Sequence, residues 1–489
     1  MTKFHLGVNL GHDRSAALVV DGEVVVAIQQ ERLDRYKHSV GFPAQSGADP
    51  THMELPLEAI NYCMDSVGIG WDAIASVVAN MPGKDYGADI LRRKLPKAQH
   101  EKILTMPSHH LAHAYTAFWP SGFERALVLV ADASGSTDAD NLTESYSLYE
   151  GSGTRLDLIH AEKVQAHLAQ LSTLGFIYEY IARKAGFVTE LKGGVCVPES
   201  GKLMGLAPYG GPQPQWRQWI QTQADSYSLK IPAYDIFLEV AALEKLYDDG
   251  AGKAYLRPYM VDLAFKVQDE LERALLHIVQ LARKAHGFTH VCLAGGVALN
   301  SVANYLLLRE AQLEDIFTYP AAGDAGIAAG CALWAYATEE RGTRRAVMTR
   351  ADLGRRYPCE TVADALTHYA DTLCVEELSD EDVVSRTAEA LAKGHIVARV
   401  DGRCEFGPRA LGHRSILADP NFDKMRDIIN ARVKFREPFR PFAPVIPEER
   451  VNEVFEQEVA SPFMLLISPI REQYRAQIPS VTHHDGTGR

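Results

Sequence analysis

Residues 325–337 read AGIAAGCALWAYA and carry no charge on any face. A helix that is apolar all round has to be covered on every side, and glycine among alanines lets other backbone come close. The stretch falls short of the roughly 18–20 apolar residues of a membrane span, and Asp324 stands immediately before it. The spacing therefore predicts a short helix packed closely within the protein. No other stretch is long enough to cross a membrane.

The remaining pattern predicts an α/β core around that helix. Residues 4–10 and 17–28 are apolar runs separated by Gly-His-Asp-Arg-Ser, with Asp21-Gly22 as a further turn; they read as strands. Residues 109–118 have helical spacing, and 126–131 (ALVLVA) is a buried strand that ends at Asp132. Residues 168–186 alternate helically. Leu263, Val267, Leu271, Leu275 and Val279 mark a long amphipathic helix over 261–286, which leads into a strand at 290–294 closed by Gly295-Gly296. Strands joined through helices give an α/β fold. Residues 341–357 are basic, weakly periodic and rich in breakers, and read as a linker. A helix at 383–393, a strand at 395–400 and a basic block at 401–445 follow. At 489 residues more than one domain is expected, and the linker divides the chain into 1–345 and 346–489.

Charge and cysteine usage narrow the class. A net charge of −13 does not suit a chain built to coat nucleic acid or an anionic membrane. Seven cysteines with no C-x-x-C pair predict free thiols in a reducing compartment. The N-terminus, MTKFHLGVNLGHD, lacks the basic and apolar regions of a signal peptide. A cytoplasmic protein is expected.

Several residues carry chemistry. His109 and His113 in HHLAH are four apart, so on a helix they share a face and can grip one ion. The intervening position next to His109 is His110, not the glutamate of H-E-x-x-H, so metalloprotease chemistry is not supported. A helix of internally satisfied histidines explains the pair as well. Asp132 stands at a strand end, a usual place for a ligand in an α/β fold. Asp324 precedes the small-residue helix and can also serve as its cap. Two imidazoles and two carboxylates suit a first-row divalent metal such as iron, manganese or zinc.

Two glycine turns suit a nucleotide. Gly295-Gly296-Val297-Ala298-Leu299-Asn300 follows a strand and opens a helix, where amides can meet phosphate. The other is Gly11-His12-Asp13-Arg14-Ser15. Lys37-His38 and Gly201-Lys202-Leu203-Met204-Gly205 add lysines in polar or glycine contexts, although most such lysines are simply solvated. The block Glu405 to Ser415, EFGPRALGHRS, followed by Lys434, Arg436 and Arg440 in KFREPFRPFAP, concentrates cations amid rigid Gly and Pro. Guanidiniums bind phosphate bidentately, so a pocket is favoured there over a solvated basic face.

Together HHLAHA (109–114), GKLMGLAPYG (201–210), GGVALN (295–300), GDAGIAAG (323–330), EFGPRALGHRSI (405–416) and FRPFAP (439–444) resemble, in order, the O-carbamoyltransferase family of nodulation-factor, cephalosporin and aminoglycoside carbamoyltransferases. The resemblance spans nearly the whole chain. It implies an N-terminal domain like the universal tRNA threonylcarbamoyl-transfer protein, in the actin/Hsp70/sugar-kinase superfamily. It also implies a C-terminal α+β acyl-adenylate-forming (YrdC-like) domain.

The resemblance further implies that ATP is a substrate, with Mg2+. Carbamoyl phosphate would bind Arg409, Lys434, Arg440 and Arg489 and be converted to carbamoyl-adenylate. A metal on His109, His113, Asp132 and Asp324, with Fe2+ the first candidate, would bind the adenylate phosphate. Gly295, Gly296 and Asn300, with Lys202 and Gly205, would line the nucleotide. His12, Asp13 and Lys37 would orient the hydroxyl of a small acceptor, such as a sugar or antibiotic precursor of secondary metabolism, and His12 or Asp13 would take its proton. A homodimer is the expected assembly, with no nucleic-acid or membrane partner.

Relatives continue past the DGT-x-R turn into an L-N-T-S-F-N segment, so the second domain is expected to be incomplete at Arg489. The rival readings are a sugar or acetate-type kinase of the same superfamily, a tRNA threonylcarbamoyl transferase, a hydrogenase-maturation carbamoyltransferase, which would carry C-x-x-C pairs, and a non-catalytic metal-binding protein.

Overall fold

The computed structural model describes residues 2–41, 53–168, 172–191, 196–247, 250, 252–343, 347–457 and 459–488. β1 (Phe4–Asn9), β2 (Ser15–Val20) and β3 (Glu23–Gln29) form an antiparallel meander, and β4 (Ile74–Asn80) and β5 (Ile103–Thr105) join the other edge of β1 in parallel. The order is β3-β2-β1-β4-β5.

A second sheet repeats this plan. β6 (Arg125–Ala131), β7 (Leu142–Ser152) and β8 (Arg155–Gln165) form the meander, while β9 (His290–Ala294) and β10 (Asp315–Thr318) run parallel to β6 on its other side. Two copies of one five-stranded mixed topology in a single chain are the architecture expected of the actin/Hsp70/sugar-kinase class. The first strand of each copy is buried along almost its whole length, so it reads as a continuous apolar run.

Two helices lie between the sheets. α1 (His109–Phe118) leads into β6. The helix of small residues, which becomes α6 in chain order (Ile327–Glu339), follows β10. A Cβ on Gly7 of β1 would sit 1.8 Å from the Ala328 carbonyl oxygen, and one on Gly330 would sit 2.0 Å from that of Ala112. The glycines thus set how near α6 comes to β1 and α1, which is the physical reason for the Ala/Gly composition of 325–337. The outer face of the second sheet is covered by α2 (Leu174–Lys184), α3 (Ser200–Leu206), α4 (Pro258–His286) and α5 (Ser301–Glu310) around a large apolar core. α4 begins three residues before the expected helix and ends on Gly287 in the left-handed region.

The stretch expected to be a linker is tied down where it is described. Ala27 N–H donates to Leu353 O (2.9 Å) and Phe406 N–H to Ala351 O (2.8 Å). Beyond it the C-terminal part behaves in two ways. α7 (Cys359–His368) and α8 (Asp380–Ala392) contain no buried residue, and with them goes the ribbon of β11 (Val397–Val400) and β12 (Arg414–Leu417). The block after residue 401 instead folds onto the N-terminal part. Phe406, Phe463 and Leu465 enter the apolar cluster around α6, and Phe439 and Ile467 enter the large one. The closing Thr487–Gly488 pairs with Ser468–Pro469, so these residues belong to a short ribbon as well as a turn. Among the described residues no helix is long and apolar enough to cross a membrane.

Gly7→Ala should destabilise the protein by roughly 1–3 kcal/mol or more, the cost of overpacking against backbone. Gly70→Ala, with nothing within 4 Å and an ordinary φ of −105°, should stay within about 0.5 kcal/mol. Paired denaturant melts check the difference.

Candidate active site

Three chain segments bring four side chains to one point between the sheets. The first two turns of α1 bring His109 and His113, the end of β6 brings Asp132, and the turn before α6 brings Asp324. All four are buried, and one ligand atom from each lies within 4.8 Å of all the others. His113 Nε2 is 3.0 Å from Asp132 Oδ2 and 3.7 Å from Asp324 Oδ1, while His109 Nε2 is 3.7 and 3.6 Å from the same two oxygens. Ligands about 2.1 Å from a tetrahedral ion are about 3.4 Å from one another, so these spacings fit one first-row cation.

Tautomer and charge point the same way. Ser108 caps α1 by accepting from Leu111 N–H (3.1 Å). His109 Nδ1–H donates to Asn80 Oδ1 (2.7 Å), which turns Nε2 toward the carboxylates, and this Nε2 makes no hydrogen bond. Such an outer partner is the usual support of a metal-binding imidazole. Burial by itself would lower His109, but Asp132 and Asp324 outweigh it and raise the imidazole to about 10. The histidines in turn hold both carboxylates below the ordinary range against burial that would raise them. Two buried carboxylates need compensating positive charge, from protons or from a cation, and the donor set fits a cation. His110 plays no part in this cluster. It points to Ser147 Oγ (2.8 Å), and burial pushes it down to about 4.

The β1–β2 turn closes one side. Asn9 Nδ2 donates to the His12 and Asp13 carbonyls (2.7 and 3.1 Å). Gly11 lies against Asp324, with a Cβ there 3.8 Å from Oδ2. His12 Nε2 is 3.3 Å from Asp324 Oδ2, and His12 Nδ1 donates to Asp13 Oδ2 (2.8 Å). Burial would lower His12, yet Asp324 and Asp13 raise it to about 10; burial would raise Asp13, yet His12 and His38 bring it to about 2.

The glycine turn after β9 closes another side. Gly295 has φ +88°, and a Cβ there would be 2.2 Å from Ala131 O, while one on Gly296 would be 3.1 Å from Asp132 Oδ1. Close approach to the end of β6 is therefore what requires these glycines. Asn300 is turned inward: its Oδ1 caps α5 at Ala303 N–H (3.1 Å) and its Nδ2 donates to Gln268 Oε1 (2.8 Å).

Lys37 stands outside the buried cluster, paired with Glu199 and donating to Thr189 Oγ1 (3.1 Å). Glu199 also pairs with Lys202, and Lys202 reaches Glu437 of the C-terminal block at 2.9 Å. Gly205 faces that block, 3.7 Å from Pro441 for a Cβ. Within the block, burial and the neighbouring Arg440 lower Arg409, whose Nε has no hydrogen-bond partner. Burial, Arg436 and Arg440 likewise lower Lys434. Among the described residues, Glu437, 3.8 Å from Arg440, is the acid that pairs with these cations, which leaves the cluster suited to an anion. Arg489 lies outside the described residues.

Four contributors were not marked as site residues by the sequence pattern. Asn80 ends an apolar strand just as Asp132 does, so the same signal was available. Glu199 and Glu437 hold the lysines and arginines that were singled out. Glu179 is a different case, since nothing in the sequence marks it. It lies one turn beyond Gly175 on α2, where a Cβ would sit 2.7 Å from Ala133 Cα and 3.0 Å from the Asp132 carbonyl carbon. Its carboxyl feels His12, Asp132 and Asp324, and burial raises it to about 7.

Two family descriptions match the chain, "Carbamoyltransferase N-terminus" over residues 71–333, more than half of it, and "Carbamoyltransferase C-terminus" over 388–489. An uncharacterised protein of Synechocystis is 32% identical over 98% of this chain and 84% of its own length. The nodulation protein NolNO of Sinorhizobium fredii is 34% identical over 98% and 69%. The 3'-hydroxymethylcephem-O-carbamoyltransferase of Streptomyces clavuligerus is 25% identical over 98% and 85%.

Glu179 gives a pH signature. Its folded value of about 7 lies above its ordinary 4.5, so the folded state holds a proton that the unfolded chain has lost between those values, and stability falls as pH rises through that window. Thermal melts of wild type and Glu179→Gln should coincide below pH 4.5, with the variant increasingly more stable up to about pH 7.

Proposed function

The chain belongs to the carbamoyltransferase family, and on that premise we propose an ATP-dependent enzyme that makes carbamoyl-adenylate in its C-terminal part (346–489) and transfers the carbamoyl group to a small-molecule hydroxyl in its N-terminal part (1–345). The observation that carries the transfer site is the convergence of His109, His113, Asp132 and Asp324 beside a polar turn and a glycine turn. The observation that supports the phosphate site is the cation cluster around Arg409, with too little acid beside it.

In the first step Arg409, Lys434 and Arg440 hold carbamoyl phosphate, with Arg489 joining them by resemblance. Loss of phosphate to water leaves carbamate. A carbamate oxygen attacks the α-phosphorus of ATP, the bond to the leaving pyrophosphate breaks, and carbamoyl-adenylate forms. Gly295 and Gly296 let the adenylate backbone come near β6, Asn300 shapes that turn from beneath, and Lys202 with Gly205 lies where the two parts of the chain meet.

In the second step the acceptor oxygen attacks the carbonyl carbon and the bond to AMP breaks. His109, His113, Asp132 and Asp324 would hold a divalent cation, Fe2+ first and Mn2+ or Zn2+ after it, which would supply positive charge for the leaving phosphate. With a cation on Asp324 sharing the charge that raises His12, Nε2 of His12, on the same side, would be free to take the proton, with Asp13 fixing its ring. Lys37, anchored by Glu199, orients the acceptor. The acceptor class implied by the family resemblance is a sugar or an antibiotic precursor, the action is cytoplasmic, and a homodimer is the assembly to test.

Two variants separate the steps. Arg409→Ala should lower carbamoyl-phosphate-dependent pyrophosphate release about ten- to a hundredfold, the worth of one charge-assisted contact at roughly 1.5–3 kcal/mol. It should still turn over supplied carbamoyl-adenylate. His113→Ala should keep pyrophosphate release and lose both transfer and the bound metal, measured as about one equivalent per chain in the wild type by elemental analysis. Release of ADP in place of pyrophosphate and AMP would show a kinase instead.

A further inference from the structure

Asp13 is gripped from two sides. Its Oδ2 accepts from His12 Nδ1 and its Oδ1 lies 2.8 Å from Nδ1 of His38, so one carboxylate bridges two imidazoles. A carboxylate held at both oxygens cannot rotate, and the ring that donates to it is fixed with it. His12 carries a proton on Nδ1 to donate, and its Nε2 is the nitrogen turned to Asp324.

The loop that delivers His38 is built for a fixed geometry. Arg35, His38 and Ser39 have φ of 62°, 61° and 28°, and Asp13 itself has 55°. Non-glycine residues stay in this region only where their surroundings over-determine them. Here Asp13 N–H donates to His38 O (2.6 Å) and His38 N–H to Glu31 Oε2 (2.9 Å). Arg14 donates to Ser39 O (2.8 Å) and Oγ (3.0 Å), and Ser39 Oγ bonds Asp34.

From this geometry we propose that His38 is a positioning residue for the transfer step: through Asp13 it fixes the orientation of the His12 ring and the hydrogen bond at its Nδ1. The kinetic consequence rests on the transfer reading above, while the claim about the His12 ring stands on the geometry alone. The charged groups facing this chain are Glu31, Asp34 and Arg14 around His38, and Asp324, Asp132 and Glu179 around His12.

The test uses the full chain with 15N-labelled histidine and two variants, His38→Ala and His38→Asn, whose amide can donate in place of Nδ1. Wild type and His38→Asn should both show a slowly exchanging, hydrogen-bonded Nδ1–H on His12, and His38→Ala should show that proton exchanging rapidly with water. With water as the acceptor probe, carbamoyl-phosphate-dependent AMP release should fall about 10–100-fold in His38→Ala, the usual cost of losing such a support. His38→Asn should recover most of that loss. Pyrophosphate release and metal content should stay at wild-type levels in both variants, which also shows that they fold. An unchanged His12 spectrum in His38→Ala overturns the proposal, as does a His38→Asn variant that is as slow as His38→Ala. A wild type without carbamoyl-phosphate-dependent pyrophosphate release overturns the transfer reading instead, and the nitrogen spectra then decide the positioning claim by themselves.

Discussion

Asp132 and Asp324 stand side by side in a buried cleft, each within 3.0–3.7 Å of the imidazoles of His109 and His113. Taking two carboxylates out of water costs several kcal/mol each unless opposite charge and hydrogen bonds meet them. The folding pattern supplies those partners. The duplicated sheet places β6 and the turn before α6 at one level, and α1 carries two imidazoles to that level. Asn80 from the first sheet then sets the tautomer of one of them. Glycine supports the cluster from a distance, since Gly7 and Gly330 let α6 lie deep between the sheets. Without that close packing Asp324 would stand away from α1.

Charge is distributed so that the two halves of the molecule complement one another. The buried centre is rich in carboxylates, while the block from Arg409 to Arg440 is rich in cations. Between them runs a chain of ion pairs, Lys37 to Glu199 to Lys202 to Glu437. Partly exposed pairs of this kind contribute little stability individually, but in this arrangement they bind the C-terminal block to the element that bears Lys37. Apolar contacts do the larger share of that joining. Phe439 packs with Phe187 and Tyr255 from the N-terminal part, and Phe406 sits against Tyr319 at the end of the second sheet. The block after residue 401 is therefore continuous with the core, whereas α7 and α8 stand apart from it.

Local pattern was enough to read α1 from its first residue to its last, the strands ending at Asp132 and Gly295, the long helix α4 and the small-residue helix. Each is set by periodicity or by a breaker within a few residues of it. The four metal-ligand candidates were legible for the same reason, because each stands at an element boundary: a helix start, a strand end or a turn. Asn80 stood at such a boundary too. The hairpin of β7 and β8 was not read, because β8 is half exposed and lacks the apolar run that marked the other strands.

By itself, then, the sequence determined the α/β character, the turns and the residue types able to bind a cation or a phosphate, since these follow from spacing and side-chain chemistry. Only the tertiary structure decided that the sheets are two copies of one topology and that His38 reaches Asp13. It alone turned Asn300 inward to Gln268, paired Lys37 with Glu199, and brought Glu179 over the buried centre. Those outcomes depend on which distant segments are pressed together and on how much water is left between them. Spacing along a chain carries neither the distances between its folds nor the desolvation that shifts a carboxyl such as Glu179 to about 7.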